Sequence, residues 1–288
     1  REVLGETHAD TLFSLNNYAY VLIELGRANE ADPLFVEALR LHRETLGERH
    51  PETLNSINGY AGVLYSLCRM KEAEPLFAEA LRLRREELGE RHPDTITSLN
   101  NYAVALQALG RMDEAEPIYA EALRLRREVL GERHPDTLSS LSVYASALHL
   151  LGRWKEAEPI YAEALRLFRE EVGEKHPFTI TTLSNYVIVL ELLGRRDEAV
   201  PLYAEALRLR REVQGERHPA TLTTLNNYAG VLRVLGRPEE AEPLSAEALR
   251  LRRETLGERH PDTLQSMTNY AAVLQALGHL EQAEPLYA

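Results

Sequence analysis

The chain is expected to be all-α, built as a stack of repeated helical hairpins. Three observations carry that expectation. A Gly-Glu-x-His phrase, usually preceded by Leu, recurs with its glycines at Gly5, Gly47, Gly89, Gly131, Gly173, Gly215 and Gly257, 42 residues apart each time. Between the glycines, apolar residues fall at helical spacing. Gly and Pro punctuate each unit twice, in the places where helices stop and start. A fixed period of this length is the signature of a repeat array, in which each unit packs on its neighbours.

Residues 47 to 88 show the elements in order. Gly47 follows Leu46 and is expected in the left-handed conformation that ends a helix. Pro51 suits the first turn of the next helix, where its missing N–H goes unused. Leu54, Ile57, Tyr60, Ala61, Leu64 and Leu67 then form one apolar arc. A Gly closes this first helix at Gly26, Gly110, Gly152, Gly194, Gly236 and Gly278; Cys68 stands in that place here, so the turn should be strained or wider. The second helix is expected from near Lys71, with core positions Ala73, Leu76, Phe77, Ala80, Leu81 and Leu88. Pro75 must lie in or just past its first turn, because a proline deeper inside would break the helix. Charges on the outer side sit three and four apart, as in Glu121, Arg124 and Glu128, and should pair along the helix. About thirteen helices, no strands and a right-handed superhelix follow for the chain, six full units and a partial one.

Bulk properties narrow the function. A chain of 288 residues would strain a single core, and a repeat array escapes that limit. The formal net charge of -12 argues against sequence-independent nucleic-acid binding and against anionic membrane surfaces. No apolar run is long enough for a transmembrane helix. Cys68 is the one cysteine, which fits a reducing cytoplasmic setting. The chain opens at Arg1-Glu2-Val3-Leu4-Gly5 and stops at Tyr287-Ala288, both inside a repeat, so a piece of a larger protein is expected.

The small residue Ala103, the closing Gly110 and the stretch containing Ala115, Tyr119 and Ala122 resemble the tetratricopeptide repeat. The Gly-Glu-x-His-Pro turn, Leu99-Asn100-Asn101-Tyr102-Ala103 and Glu114-Ala115-Glu116-Pro117 are closer still to repeats of the kinesin-light-chain type. That resemblance covers the whole chain. It implies a right-handed superhelix whose first helices line a concave groove, and a role in holding peptides or proteins. It also implies that the second Asn of Leu-Asn-Asn clamps a peptide backbone.

Variation between units points to the working face, because constant positions hold the stack. Four rows on the first helix lie opposite the apolar arc, within one narrow stripe. They read Phe13, Asn55, Thr97, Ser139, Thr181, Thr223, Gln265; then Asn16, Asn58, Asn100, Ser142, Ser184, Asn226, Thr268; then Tyr20, Gly62, Val104, Ser146, Ile188, Gly230, Ala272; then Ile23, Tyr65, Gln107, His149, Glu191, Arg233, Gln275. Beside them run Asn17, Gly59, Asn101, Val143, Asn185, Asn227 and Asn269. Asn is a poor helix former, so its mid-helix recurrence needs a cause. Either its amide grips a peptide backbone or it bonds between repeats, and the two are compatible. Ligand contacts are accordingly expected from Asn16, Asn17, Tyr20, Asn58, Tyr65, Asn100, Asn101, Gln107, Ser142, His149, Asn185, Glu191, Asn226, Asn227, Arg233, Asn269 and Gln275. With Arg233 the one firm cation on the stripe, an extended and not strongly acidic segment is expected.

Other residues read as structural. His8, His50, His92, His134, His176, His218 and His260 are one row, about 10 Å apart, too far for a shared metal. Each is expected to hydrogen-bond across a repeat junction. His149 near Ser139, Ser142 and Ser146 lacks an aligned carboxylate and an oxyanion turn, so no enzyme is expected. The row Tyr18, Tyr60, Tyr102, Tyr144, Tyr186, Tyr228 and Tyr270 reads as packing at the core edge, and Trp154 as a half-exposed loop residue. Phe168, like Trp154, breaks the repeat pattern. No phosphate loop or Cys cluster is present, and no cofactor or metal is expected. The function expected is a scaffold holding an extended protein segment. The alternatives are a sensor arm of a nucleotide-dependent switch protein, or a spacer that self-associates end to end.

Overall fold

The computed structural model describes residues 9–287. Arg1 to Gly5, His8 and Ala288, and the side chain of Phe13, lie outside the described set. Contacts divide the chain into two compact units, at Ala147 and Leu148 within one helix. The first holds α1 (Ala9–Glu24), α2 (Ala28–Leu46), α3 (Pro51–Ser66), α4 (Met70–Leu88), α5 (Pro93–Ala108), α6 (Met112–Leu130) and most of α7 (Pro135–Leu150). The second holds the end of α7, α8 (Trp154–Glu171), α9 (Pro177–Leu192), α10 (Arg196–Gln214), α11 (Pro219–Val234), α12 (Pro238–Leu256), α13 (Pro261–Ala276) and α14 (Leu280–Tyr287). Fourteen helices and no strand thus occur among the described residues, one helix more than expected, because the last hairpin also begins its second helix. None of them is long and apolar enough to cross a membrane.

Each first helix starts at the proline after the recurrent histidine. The His50 Nδ1 accepts the Glu52 backbone N–H at 3.2 Å, and His92, His134, His176, His218 and His260 do the same two residues on. The row is therefore an N-cap, bonded locally and not across the junction as expected. It satisfies a donor that the helix leaves free. Gly47 has φ 91 and ψ 162, positive in φ as expected but extended in ψ, a region open essentially to glycine alone. That setting lets its carbonyl accept the Thr53 hydroxyl at 2.8 Å.

The first helix closes at Gly110 with φ 75, where the Arg111 N–H reaches back to the Leu106 carbonyl at 2.9 Å. Cys68 makes the same turn, with the Arg69 N–H on the Leu64 carbonyl at 2.9 Å, and holds φ at 60. The turn is strained and not widened. Arg69 then opens α4 and grips Glu72 in its first turn at 2.6 Å, where an acid also suits the helix dipole. Pro75 is the sixth residue of α4, past the first turn, and the helix continues through it.

Small residues let the helices approach, and large ones fill what remains. In the first unit Leu22, Phe35, Ile57, Leu64 and Phe77 are buried together around Ala61 and Ala73. In the second, Ile180, Leu183, Val187, Tyr203 and Leu209 do the same around Ala199 and Ala206. One core assignment needs correction. Leu88, at the end of α4, is 37% exposed, and Leu83 is buried in its place. Ion pairs also differ in part from expectation. Arg124 pairs with Glu128 at 2.7 Å, but Glu121 turns to Arg85 of the preceding repeat at 3.1 Å. The same rung recurs as Arg43–Glu79, Arg169–Glu205 and Arg211–Glu247, each 2.7 Å. The tyrosine row does more than pack. Tyr60, Tyr102, Tyr144 and Tyr186 donate to Asp32, Glu74, Glu116 and Glu158 of the preceding hairpin. Tyr18 is exposed.

Candidate functional site

The variable stripe forms hollows along the first helices of each unit. In the first unit, a hollow of about 470 Å³ is lined by Tyr20, Ile23, Asn58, Gly59, Gly62, Tyr65, Asn101 and Val104, with Phe77 below. Tyr20 sits edge-on to Phe35 at 5.0 Å between ring centres. Its hydroxyl lies 2.6 Å from where a Cβ on Gly59 would stand, so the glycine at this place in the Asn row makes room for the ring. In the second unit, a hollow of about 300 Å³ is lined by Ser184, Asn185, Ile188, Arg210, Thr223 and Asn227. A neighbouring one of about 290 Å³ is lined by Ile188, Glu191, Asn226, Asn227, Gly230 and Asn269. Tyr203 borders both.

The amides divide into two sets. The Asn101 amide donates to the Asn58 carbonyl oxygen at 3.1 Å, between repeats. Asn16 donates to Ser56 at 3.4 Å, and the buried Asn226 accepts from Ser266 at 3.3 Å. These three bonds serve the stack. Asn269 accepts from Gln265 of its own helix. Asn185 and Asn227 line a hollow and have no side-chain hydrogen bond among the described residues. Asn17 is exposed and Asn100 half-buried; neither lines these hollows, nor do Gln107, Ser142, His149, Arg233 and Gln275. His149 is half-buried, and burial holds its pKa below the ordinary value.

A second-helix row that the stripe argument did not include forms the floor. Phe35, Phe77, Tyr119, Tyr161 and Tyr203 are all buried at equivalent places. Tyr119 donates to Gln107 at 2.8 Å and Tyr203 to Glu191 at 3.0 Å, so the floor fixes two stripe residues. Another missed row reads His42, Arg84, Arg126, Phe168, Arg210 and Arg252, buried in every case. Arg84, Arg126 and Arg252 each donate from Nη1 to a serine hydroxyl and a backbone carbonyl at the start of the next first helix. Burial pulls the pKa of these guanidiniums down. The Phe168 ring replaces one and lies 6.0 Å from Phe178. Trp154 is the first residue of α8, not a loop residue, and is half-exposed.

A family model for the tetratricopeptide repeat matches residues 10–86, 55–111, 94–170, 140–212, 178–233 and 220–288. No curated protein matches the chain in sequence. Among solved structures, the chain is similar to a kinesin light chain-type protein with nearly identical TPR-like repeats from Podospora anserina. That likeness has 22% identity and a TM-score of 0.64, over 72% of this chain and 98% of the other. It is similar to YrrB, a TPR protein with an unusual peptide-binding site, at 16% identity and TM-score 0.55, over 80% and 97%. It is also similar to a signal-transduction ATPase with a tetratricopeptide repeat sensor from Pyrococcus horikoshii, at 14% identity and TM-score 0.72. That match covers 96% of this chain and 42% of the other.

Proposed function

We propose, from the premise that the chain belongs to the tetratricopeptide repeat family, that it is a scaffold holding an extended protein segment along its first helices. Repeats of this family generally serve as protein-interaction scaffolds. The observation that carries the finer reading is the pairing of Asn185 and Asn227 beside one hollow without other side-chain partners. Each amide offers N–H donors and a carbonyl acceptor together, the complement of a peptide group. Residues that differ between repeats line the hollows, Tyr65 in the first unit and Glu191 in the second, and would choose ligand side chains. The hollows accept single side chains, and the amides between them accept backbone. A segment without strong negative charge fits, given a stripe that is mostly amide, hydroxyl and apolar.

Site-specific photocrosslinking tests this reading. A photoreactive amino acid is placed at Val104 or Ile188 on the stripe, and at the exposed Arg82 or Arg166 on the second helices. After irradiation in a lysate of the native host, crosslinked peptides are mapped by mass spectrometry. One recurrent segment recovered from the stripe positions and not from the second-helix positions is expected. Recovery from Arg82 and Arg166 alone would move the contact surface to the second helices and overturn the reading.

A further inference from the structure

The last residue of each first helix is, in chain order, Glu24, Ser66, Ala108, Leu150, Leu192, Val234 and Ala276. Three consecutive ones, at the ends of α7, α9 and α11 in the second unit, are large and apolar. Leu150 is 60% exposed, Leu192 42% and Val234 52%. Single exposed apolar residues are ordinary on a surface, but a row of them is not. The residues that open the following second helices widen this row. Trp154 opens α8 and Pro238 opens α12, both half-exposed, with Arg196 between them opening α10. Trp154 and Leu192 line one hollow of about 450 Å³, together with Lys155 and Leu193.

The second residue of those helices is charged and exposed: Lys155, then Asp197, then Glu239. Glu156, Glu198 and Glu240, one place further on, each pair with the arginine three residues before. Lys155 and Glu239 have no ion pair among the described residues. Equivalent residues stand about 10 Å apart, so the row is about 20 Å long. Turned end for end, it matches itself. Leu150, Leu192 and Val234 are apolar from either direction. Trp154 and Pro238 set a ring at both ends, and the charge changes sign from Lys155 to Glu239. A surface symmetric in apolar character and antisymmetric in charge is complementary to its own copy, the condition for an isologous two-fold contact.

We propose that this edge of the second unit binds a second copy of the chain, about a two-fold axis that crosses the row at Leu192. Leu192 then meets Leu192 of the second copy, and Leu150 meets its Val234. Trp154 packs on its Pro238, and Lys155 pairs with its Glu239. Each of these unlike contacts occurs twice in the dimer. Near the axis, Arg196 meets Asp197 of the other copy. A row this short buries less than about 1,200 Å² in total, the range of transient contacts. The net charge of -12 on each copy also opposes close approach. A dissociation constant on the order of 100 μM is therefore expected.

Sedimentation equilibrium of the full chain, loaded from about 10 μM to about 500 μM, reads this directly. Monomer and dimer alone are expected. Leu192→Glu should leave monomer throughout, and its circular dichroism should match the parent, because the position is exposed. Lys155→Glu and Glu239→Lys should each weaken the dimer about fivefold or more, since each sets like charges opposite one another twice. The chain carrying both changes has the pair reversed and should regain the parent affinity to within about twofold. That recovery separates the two-fold contact from loose apolar association and from loss of folding. A parent chain that stays monomeric would leave the patch to a different partner and overturn the proposal. So would a dimer that survives Leu192→Glu, or a double variant as weak as the single ones. Oligomers that grow beyond the dimer would point to end-to-end stacking and overturn it equally.

Discussion

Tyr203 on α10 donates its hydroxyl to Glu191 on α9 at 3.0 Å, joining the floor of the groove to its variable wall. The ring is buried and stacked on Tyr228, with centres 5.9 Å apart. Burial, then the charge of Glu191 and this hydrogen bond, push the phenol pKa up. Tyr203→Phe removes the bond and keeps the ring. A loss of about 1 kcal/mol in urea denaturation is expected. No measurable loss would show that the bond does not restrain Glu191.

The Cys68 turn supplies a second prediction. Its φ of 60 is a conformation that L side chains adopt at a cost of roughly 1–2 kcal/mol. Part of the gain from Gly is offset by the added freedom of the unfolded chain. Cys68→Gly should therefore stabilise the chain by about 0.5–1 kcal/mol. Denaturant midpoints of the two proteins check this, and a lower midpoint for the Gly variant would contradict it.

Leu64 and Leu88 give a paired test of burial. Leu64 is 1% exposed, so Leu64→Ala should cost about 2–5 kcal/mol. Leu88 is 37% exposed, so Leu88→Ala should stay within about 0.5 kcal/mol. Equilibrium unfolding of both variants measures the difference, and equal costs would contradict the assigned core.

His149 predicts a pH dependence. Burial holds its folded pKa below the ordinary value of 6.5. As pH falls through that value, the unfolded chain takes up a proton that the folded chain resists. Stability therefore falls with falling pH, and levels off once the lower, folded pKa is passed. His149→Gln should reduce the loss measured between about pH 7.5 and pH 5.5. An identical loss in both proteins would show that His149 does not contribute.

The hairpins, their Gly and Pro boundaries and most of their core were legible because 42-residue repetition averages out local noise, whereas the local capping bond of the histidine row was not. Leu54, Ile57 and Leu64 recur with the same character in unit after unit. The stripe was legible for the complementary reason, that its residues differ. Arg84 was not legible as a buried residue, because the run Arg82, Arg84, Arg85 reads as a solvated face. A signal was present. Position 84 follows Phe77 by seven residues and Ala80 by four, on the buried side, and its row contains Phe168 and His42. The contact of Arg210 with Ser184 could not be read in advance, since it depends on Thr224 bonding the Ala220 carbonyl of its own helix. The division of the Asn residues was equally hidden. Asn101 and Asn227 occupy one row, yet only the first bonds a neighbouring side chain, because the place of its partner Asn58 is taken three repeats further on by Ser184.

The most direct measurement is the affinity of the segment captured at Ile188 for the chain carrying Asn185→Ala and Asn227→Ala. Ala is the better helix former, so the variant should stay folded, as circular dichroism can verify. Each amide contributes hydrogen bonds worth about 0.5–1.5 kcal/mol net. Binding by isothermal titration calorimetry should weaken about 5- to 150-fold, with little dependence on salt. Unchanged affinity in the folded variant would contradict the account, and would leave those amides no part in holding a ligand.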